Sequence, residues 1–260
     1  MNAIQEEFNS IEKLYHYTRF ESCMKIIRSN TLLFGRLKDM NDINELYRPL
    51  YSTNLSCENA EKAQNLINKL QQISLTRDTK KMMGFDIPSM WGHYGDKGNG
   101  VCLVFDKQKL LNILSNNELI LFKGEIKYRS SFHSSISVKY DKYGNIKPFS
   151  KNELKQFFFS KTKDWINEQE YRILAINNIN QERLSLSLQD SLMAIIMHNA
   201  SDVENHESVF SSKQYDELSK IFNPDKIWEY GAFVEERNIR NNNGDTIWST
   251  VNWNNLKINI

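Results

Sequence analysis

Three cysteines in 260 residues, Cys23, Cys57 and Cys102, are too few and too far apart for a disulfide framework or a thiolate metal cage. Each sits among apolar neighbours, which suits a reducing compartment. Charge of one sign is also missing: 33 basic against 32 acidic side chains give a formal net charge of +1. No global field collects nucleic acid or holds a membrane surface, so an anionic ligand must be gripped by a local site. No run approaches the roughly 20 apolar residues of a membrane span. The first residues, Asn2 to Glu7, are polar and acidic and have no secretory apolar region, so the reading is a cytoplasmic protein without membrane partners. Internal repeats and low-complexity tracts are absent.

What the chain has is aromatic weight, 12% of residues, concentrated with glycine in one stretch. Met90-Trp91-Gly92-His93-Tyr94 follows Pro88 and reads as a helical turn or two, Gly98-Asn99-Gly100 breaks it, and Val101 to Phe105 is an unalternating apolar run. Such a run is expected of a strand covered on both faces.

Ahead of it, Leu14-Tyr15-His16-Tyr17-Thr18 is rich in β-formers, and Thr18 with Glu21 spells a capping box for a helix with Phe20, Cys23, Met24 and Ile27 on one face. His16 therefore stands near a strand-to-helix turn, where side chains and free backbone N–H groups converge. Met40-Asn41-Asp42 with Glu45 is turn chemistry. Apolar spacing predicts a helix over 58–73, followed by a short extended piece at Ser74.

Beyond Phe105, Asp106 caps a short helix, and strands are expected at Leu119–Phe122 and Glu125–Tyr128. Ser130 to Pro148 is a long excursion without apolar period. Ser150 with Glu153 is a second capping box, for a helix carried through Trp165 toward Ile166. In extended geometry Glu168, Glu170 and Arg172 share one face, because side chains alternate with period two. Two carboxylates and a guanidinium entering a core are costly unless they pair with one another or meet a ligand.

Farther on, Leu184 to Leu188 alternates with serine, Leu192 to Met197 reads as a central strand, and Tyr215 to Phe222 as a helix. Late strands at Ile227–Val234 and Thr246–Trp253 are joined by a loop over Arg237–Asp245. His198, Asp202 and His206 recur every four residues, but the intervening Asn199-Ala200-Ser201 and Asn205 favour a polar loop over a metal-binding helix. A single domain over 1–260 is expected, its motif-bearing core at 14–176 completed by strands and a helix at 177–260.

Taken in order, these motifs resemble the bacterial domain-of-unknown-function family numbered 2971, over roughly Leu14 to Ile176. That family is in turn similar, in its His, Tyr and Glu signatures, to the ADP-ribosyltransferase-like fold. The resemblance implies an α+β domain with a split, mainly antiparallel sheet, and NAD as substrate with no metal required. Carried over, His16 matches the histidine of the first core strand, Glu170 the acid of a later strand, and Tyr94 the aromatic, with Tyr17 its competitor. Glu170 would stabilise the oxocarbenium charge that develops as the nicotinamide–ribose bond breaks. Tyr94 or Trp91 would stack on nicotinamide, and His16 would bond the cofactor's ribose or phosphate edge, with Tyr17 and Thr18 beside it. Arg172 would pair with Glu168 or reach a phosphate. The acceptor of ADP-ribose would be a protein, a nucleic acid or water, and the family context implies phage defence or toxin activity and a regulatory partner protein. Two rival readings stand beside it: a metal-dependent nuclease or hydrolase using Asp42, Glu45, Glu168 and Glu170, and a non-catalytic nucleotide- or protein-binding module on the same fold.

Overall fold

The computed structural model describes residues 8–40, 42, 50–51, 61, 64–65, 67–130, 136–137, 139, 141–143, 147, 150–179, 181–198, 209–232 and 237–249. Its class is α+β, with mainly antiparallel strand pairing. In chain order the elements are β1 (Lys13–Thr18), α1 (Phe20–Ser29), β2 (Thr31–Leu33), β3 (Gly35–Arg36), β4 (Leu50–Tyr51), β5 (Leu70–Arg77), α2 (Pro88–His93), β6 (Val101–Asp106), α3 (Lys107–Ser115), β7 (Ile120–Glu125), β8 (Lys127–Arg129), β9 (Ile136–Ser137), α4 (Lys151–Phe158), β10 (Ser160–Thr162), β11 (Glu170–Ile176), β12 (Ser185–Ser187), β13 (Leu192–His198), α5 (Lys213–Ser219), β14 (Ile227–Ala232), β15 (Arg237–Arg240) and β16 (Thr246–Ser249).

Local chemistry accounts for most of these boundaries. Pro88 opens α2 where its missing N–H costs nothing, and Asp106 accepts from the Lys109 N–H at 3.0 Å to start α3. The Ser150–Glu153 capping box is present in both directions. The box expected at Thr18 is not. Thr18 stays in β1, Arg19 occupies the N-cap with extended backbone, and no side chain caps α1. The helix expected over 58–73 gives way at Leu70 to the eight-residue strand β5. Leu70, Ile73 and Leu75 are buried along with Gln71 and Gln72, so both faces are covered and the alternation that marks a strand is erased. Helix α4 stops at Phe158 rather than running to Ile166, and β10 and a 3-10 segment, Lys163–Glu168, follow. Arg237–Arg240, expected as loop, pairs with both late strands, leaving a turn in which the Asn241 side chain accepts from the Asn243 and Asp245 N–H groups. The Ser130–Pro148 excursion, Asn41, Glu45, Asp202 and His206 lie wholly or mostly outside the described residues.

The chain forms two compact units, each drawn from separate stretches. The first comprises Met1–Thr31, Thr76–Asn112 and Leu188–Ile260. Its strands run in the order β16-β15-β14-β13-β6-β1, with Tyr15 and Leu14 paired to Thr76 and Arg77 at the end of β5. All pairs there are antiparallel except β13 with β14. One face of this sheet carries a cluster built on Tyr15, Tyr17, Phe85, Trp91, Cys102, Val104, Ile196 and Tyr230. The second unit comprises Leu32–Leu75 and Ile113–Ser187. Here β11 lies between β5 and the antiparallel β7, β3 pairs with β5, and β10 runs parallel to β8. Its core holds Leu37, Leu70, Ile126, Phe157, Phe158, Phe159 and Leu174.

Gly100 fixes the turn between α2 and β6. A Cβ there would collide with the Thr18 carbonyl oxygen and lie 2.8 Å and 2.9 Å from the Gly95 carbonyl carbon and oxygen, all backbone atoms that cannot swing aside. The Gly100 N–H also donates to Gly95 O at 2.8 Å. Gly100→Ala should therefore destabilise the first unit by roughly 1–3 kcal/mol through overpacking, seen as a lower urea midpoint. Gly92→Ala, where an added Cβ meets nothing within 4 Å, serves as the control.

Candidate functional site

In the second unit the acidic motif is part of a buried ionic network. Gln169, in the left-handed region at φ 47°, ends the 3-10 segment and starts β11, so Glu168 and Glu170 flank a sharp change of direction. Strand β10 lies alongside β8 and brings Lys161 between them. Lys161 Nζ is 2.6 Å from Glu168 Oε2 and 2.9 Å from Glu170 Oε2. Arg172 donates from Nε to Glu170 Oε1 at 2.7 Å and from Nη2 to Oε2 at 2.9 Å, and from Nη1 to the Phe158 carbonyl at 2.6 Å. Relative exposures of 0% for Arg172, 2% for Glu170, 4% for Lys161 and 8% for Glu168 place all four charges in the interior, where their signs cancel. The Glu170 N–H donates to the Tyr128 hydroxyl at 2.8 Å, and Lys161 also lies over the Trp165 ring, 5.3 Å from its centroid.

Burial pushes the Glu170 carboxyl up, but Arg172 and Lys161 outweigh burial and hold it ionised, down at about 2, with a further hydrogen bond from the Ser74 side chain. Ser74 is exposed, so it links the buried carboxylate to a solvent-facing side chain. Burial likewise pushes the Tyr128 phenol up to about 12, keeping it neutral. The Glu168, Glu170 and Arg172 that the sequence singled out are thus brought together. Lys161, Tyr128 and Ser74 complete the group, and nothing in the sequence marked them, because they come from three other segments.

The first unit holds His16, Tyr17, Thr18, Trp91 and Tyr94. Tyr17 and Trp91 meet edge to face at 5.0 Å, the Tyr17 hydroxyl donates to Gly84 O at 2.7 Å, and Trp91 Nε1 donates to Phe85 O at 2.8 Å. Trp91 also stacks on Tyr230, 13° from parallel with centroids 5.9 Å apart, and touches His198 at 5.1 Å. With 4% exposure its ring is spent on these neighbours. Tyr94, half-buried, packs against the edge of the same cluster. His16 does not join them. It alternates with Tyr15 and Tyr17, both in the cluster, so its side chain belongs to the other face of β1 together with Leu14 and Thr18.

The residues that sequence reasoning missed here are Asp86, Tyr230 and Arg237. The Tyr230 hydroxyl donates to Asp86 Oδ1, whose carboxylate also receives Arg237 Nη1 at 3.1 Å and 3.2 Å. Burial and the Asp86 carboxylate push the Tyr230 phenol well up. His198 is the last residue of strand β13, and Asp202 and His206 lie outside the described residues. Among the described residues no group of three or more His, Cys, Asp or Glu side chains is arranged to hold a metal ion. In particular Glu168 Oε2 and both oxygens of Glu170 face cations.

No helix among the described residues is long and apolar enough to cross a membrane. No curated protein and no solved structure matches the chain. The stretch that runs from the α2 aromatics to Ile173 in β11, residues 90–173, is similar to one family, described as a protein of unknown function (DUF2971), whose model it matches.

Proposed function

We propose that the protein is an NAD-consuming enzyme on an ADP-ribosyltransferase-like fold, cleaving the nicotinamide–ribose bond and passing ADP-ribose to a macromolecule or to water. The observation that carries this reading is the state of Glu170: a carboxylate kept ionised and held in one geometry by Arg172 and Lys161 at the first residue of a strand. Bond cleavage at the ribose develops positive charge, and an anion fixed in place before the reaction stabilises that charge without reorganising. Half-buried Tyr94 is the aromatic we assign to nicotinamide, since Trp91 is enclosed. His16 and Thr18, on the face of β1 away from the aromatic cluster, are assigned to the ribose or phosphate edge. Trp91, Tyr94, Glu168, Glu170 and Arg172 all fall within the stretch that matches the family model. A role in phage defence or as a toxin belongs to the same proposal.

Purified protein incubated with NAD and a cell lysate tests it by mass spectrometry. Free nicotinamide with ADP-ribose and no modified macromolecule would mean hydrolysis, and a mass increment on protein or nucleic acid would mean transfer. NAD left unconsumed by the purified protein would sink the proposal.

A second reading, a non-catalytic nucleotide- or protein-binding module, is favoured by one specific observation: Glu170 is 2% exposed and both its oxygens are engaged by cations. Glu170→Gln separates the two. The enzyme loses turnover with NAD binding retained, whereas the module binds as before and has no turnover to lose.

A further inference from the structure

Within the aromatic cluster of the first unit the buried polar groups of three rings are hydrogen-bonded: Trp91 to Phe85 O, Tyr17 to Gly84 O and Tyr230 to Asp86. Tyr15, whose buried hydroxyl has no hydrogen-bond partner among the described residues, and His198 depart from this. His198 Nδ1 is buried with no hydrogen-bond partner among the described residues, although its ring lies 5.1 Å from Trp91 and 5.4 Å from Tyr230. A buried polar atom without a partner calls for an explanation.

We propose that His198 is a proton-operated latch on this cluster: as neutral imidazole it fills the space beside Trp91 and Tyr230, and on protonation it leaves that space and loosens the Trp91 ring.

The argument rests on what a charged ring would meet. From β14 the facing titratable group is Tyr230, whose hydroxyl proton is committed to Asp86. Asp86 itself is paired with Arg237 from β15, which adds positive charge. From β1, Tyr17 reaches the cluster through Trp91 with its hydroxyl given to a carbonyl, and from β6, Cys102 is buried, its thiol pushed up by burial and kept neutral. From α2, His93 contacts Tyr94 at the cluster's edge and offers no anion. Among the described residues none of these groups supplies an acceptor to an imidazolium Nδ1–H. The ring faces of Trp91 and Tyr230 offer cation–π attraction, but burial outweighs it and pulls His198 below its ordinary 6.5. Because the folded value is depressed, the stability His198 contributes is complete above about pH 6.5 and is lost as pH falls below it.

Proton NMR of the full chain across pH 7.5 to 5, with the His198 resonance assigned by its loss in His198→Phe, reads this directly. The expected result is a His198 midpoint below 6.5, with the Trp91 indole N–H resonance shifting or broadening at that same midpoint. In His198→Phe the Trp91 signal should hold still over the range. A His198 midpoint at or above 6.5, or a Trp91 signal that follows pH identically in wild type and variant, overturns the latch. If His198→Phe does not fold, His198→Gln supplies the assignment, and the two wild-type midpoints decide the matter.

Discussion

Glu170→Ala is expected to be among the most destabilising single substitutions in the chain, costing about 3–5 kcal/mol, because it leaves Arg172 and Lys161 in the interior with only Glu168 to oppose them. The loss reflects two cations that cannot be rehydrated in place. It should appear in urea unfolding as a lower midpoint with little change in slope. A pH series supplies the sign. The folded Glu170 carboxyl, at about 2, lies below its ordinary 4.5, so its contribution is present above about pH 4.5 and is lost as pH falls toward 2. Glu170→Gln removes that segment of the acid-unfolding curve, and a wild type and variant with parallel curves between those limits would show that the network does not hold Glu170 ionised.

Trp91→Ala should cost a similar amount, about 3–5 kcal/mol, for a different reason. The indole is enclosed by Tyr17, Tyr230 and His198 and satisfies its N–H within the same cluster, so truncation opens a cavity that rigid rings cannot collapse into and orphans the Phe85 carbonyl. Trp91→Phe should recover more than half of the loss in thermal unfolding. An alanine variant within 1 kcal/mol of wild type would mean that the ring packs loosely, and would return Trp91 to the list of side chains free to stack on a ligand.

How much of this was legible beforehand depended on whether the signal was local. The Ser150–Glu153 box, Pro88 at the start of α2, and the apolar runs of β6 and β13 are written in adjacent residues, and they stand as read. The first half of β5, Leu70 to Ile73, reads as helix because burial on both faces removes alternation, leaving Leu70 and Ile73 at a spacing that fits a helix equally well, while the extended piece expected from Ser74 is the second half of the strand. Period two puts Glu170 and Arg172 on one face, but the partner expected for Arg172 was Glu168; the structure pairs Arg172 with Glu170. Lys161 carried no such signal, since it reaches the acidic motif through strand pairing with β8 and sat inside what read as a continuous helix. Asp86 with Tyr230 and Arg237 is tertiary in the same sense: three segments, no shared motif, and one carboxylate that ties them. That His16 lies on the face of β1 opposite Tyr15 and Tyr17 was within reach of the sequence. Tyr15 and Tyr17 alternate with His16, and once those tyrosines are placed in the aromatic cluster, the imidazole must lie on the other side of the strand.

Saturation-transfer NMR of NAD with the purified chain tests the central claim most directly, because it asks whether the dinucleotide is a ligand before asking what becomes of it. The account predicts saturation on the nicotinamide protons at submillimolar NAD and its loss in Tyr94→Ala with the fold intact. No transfer to any NAD proton at millimolar concentration, from protein shown to be folded, would contradict it.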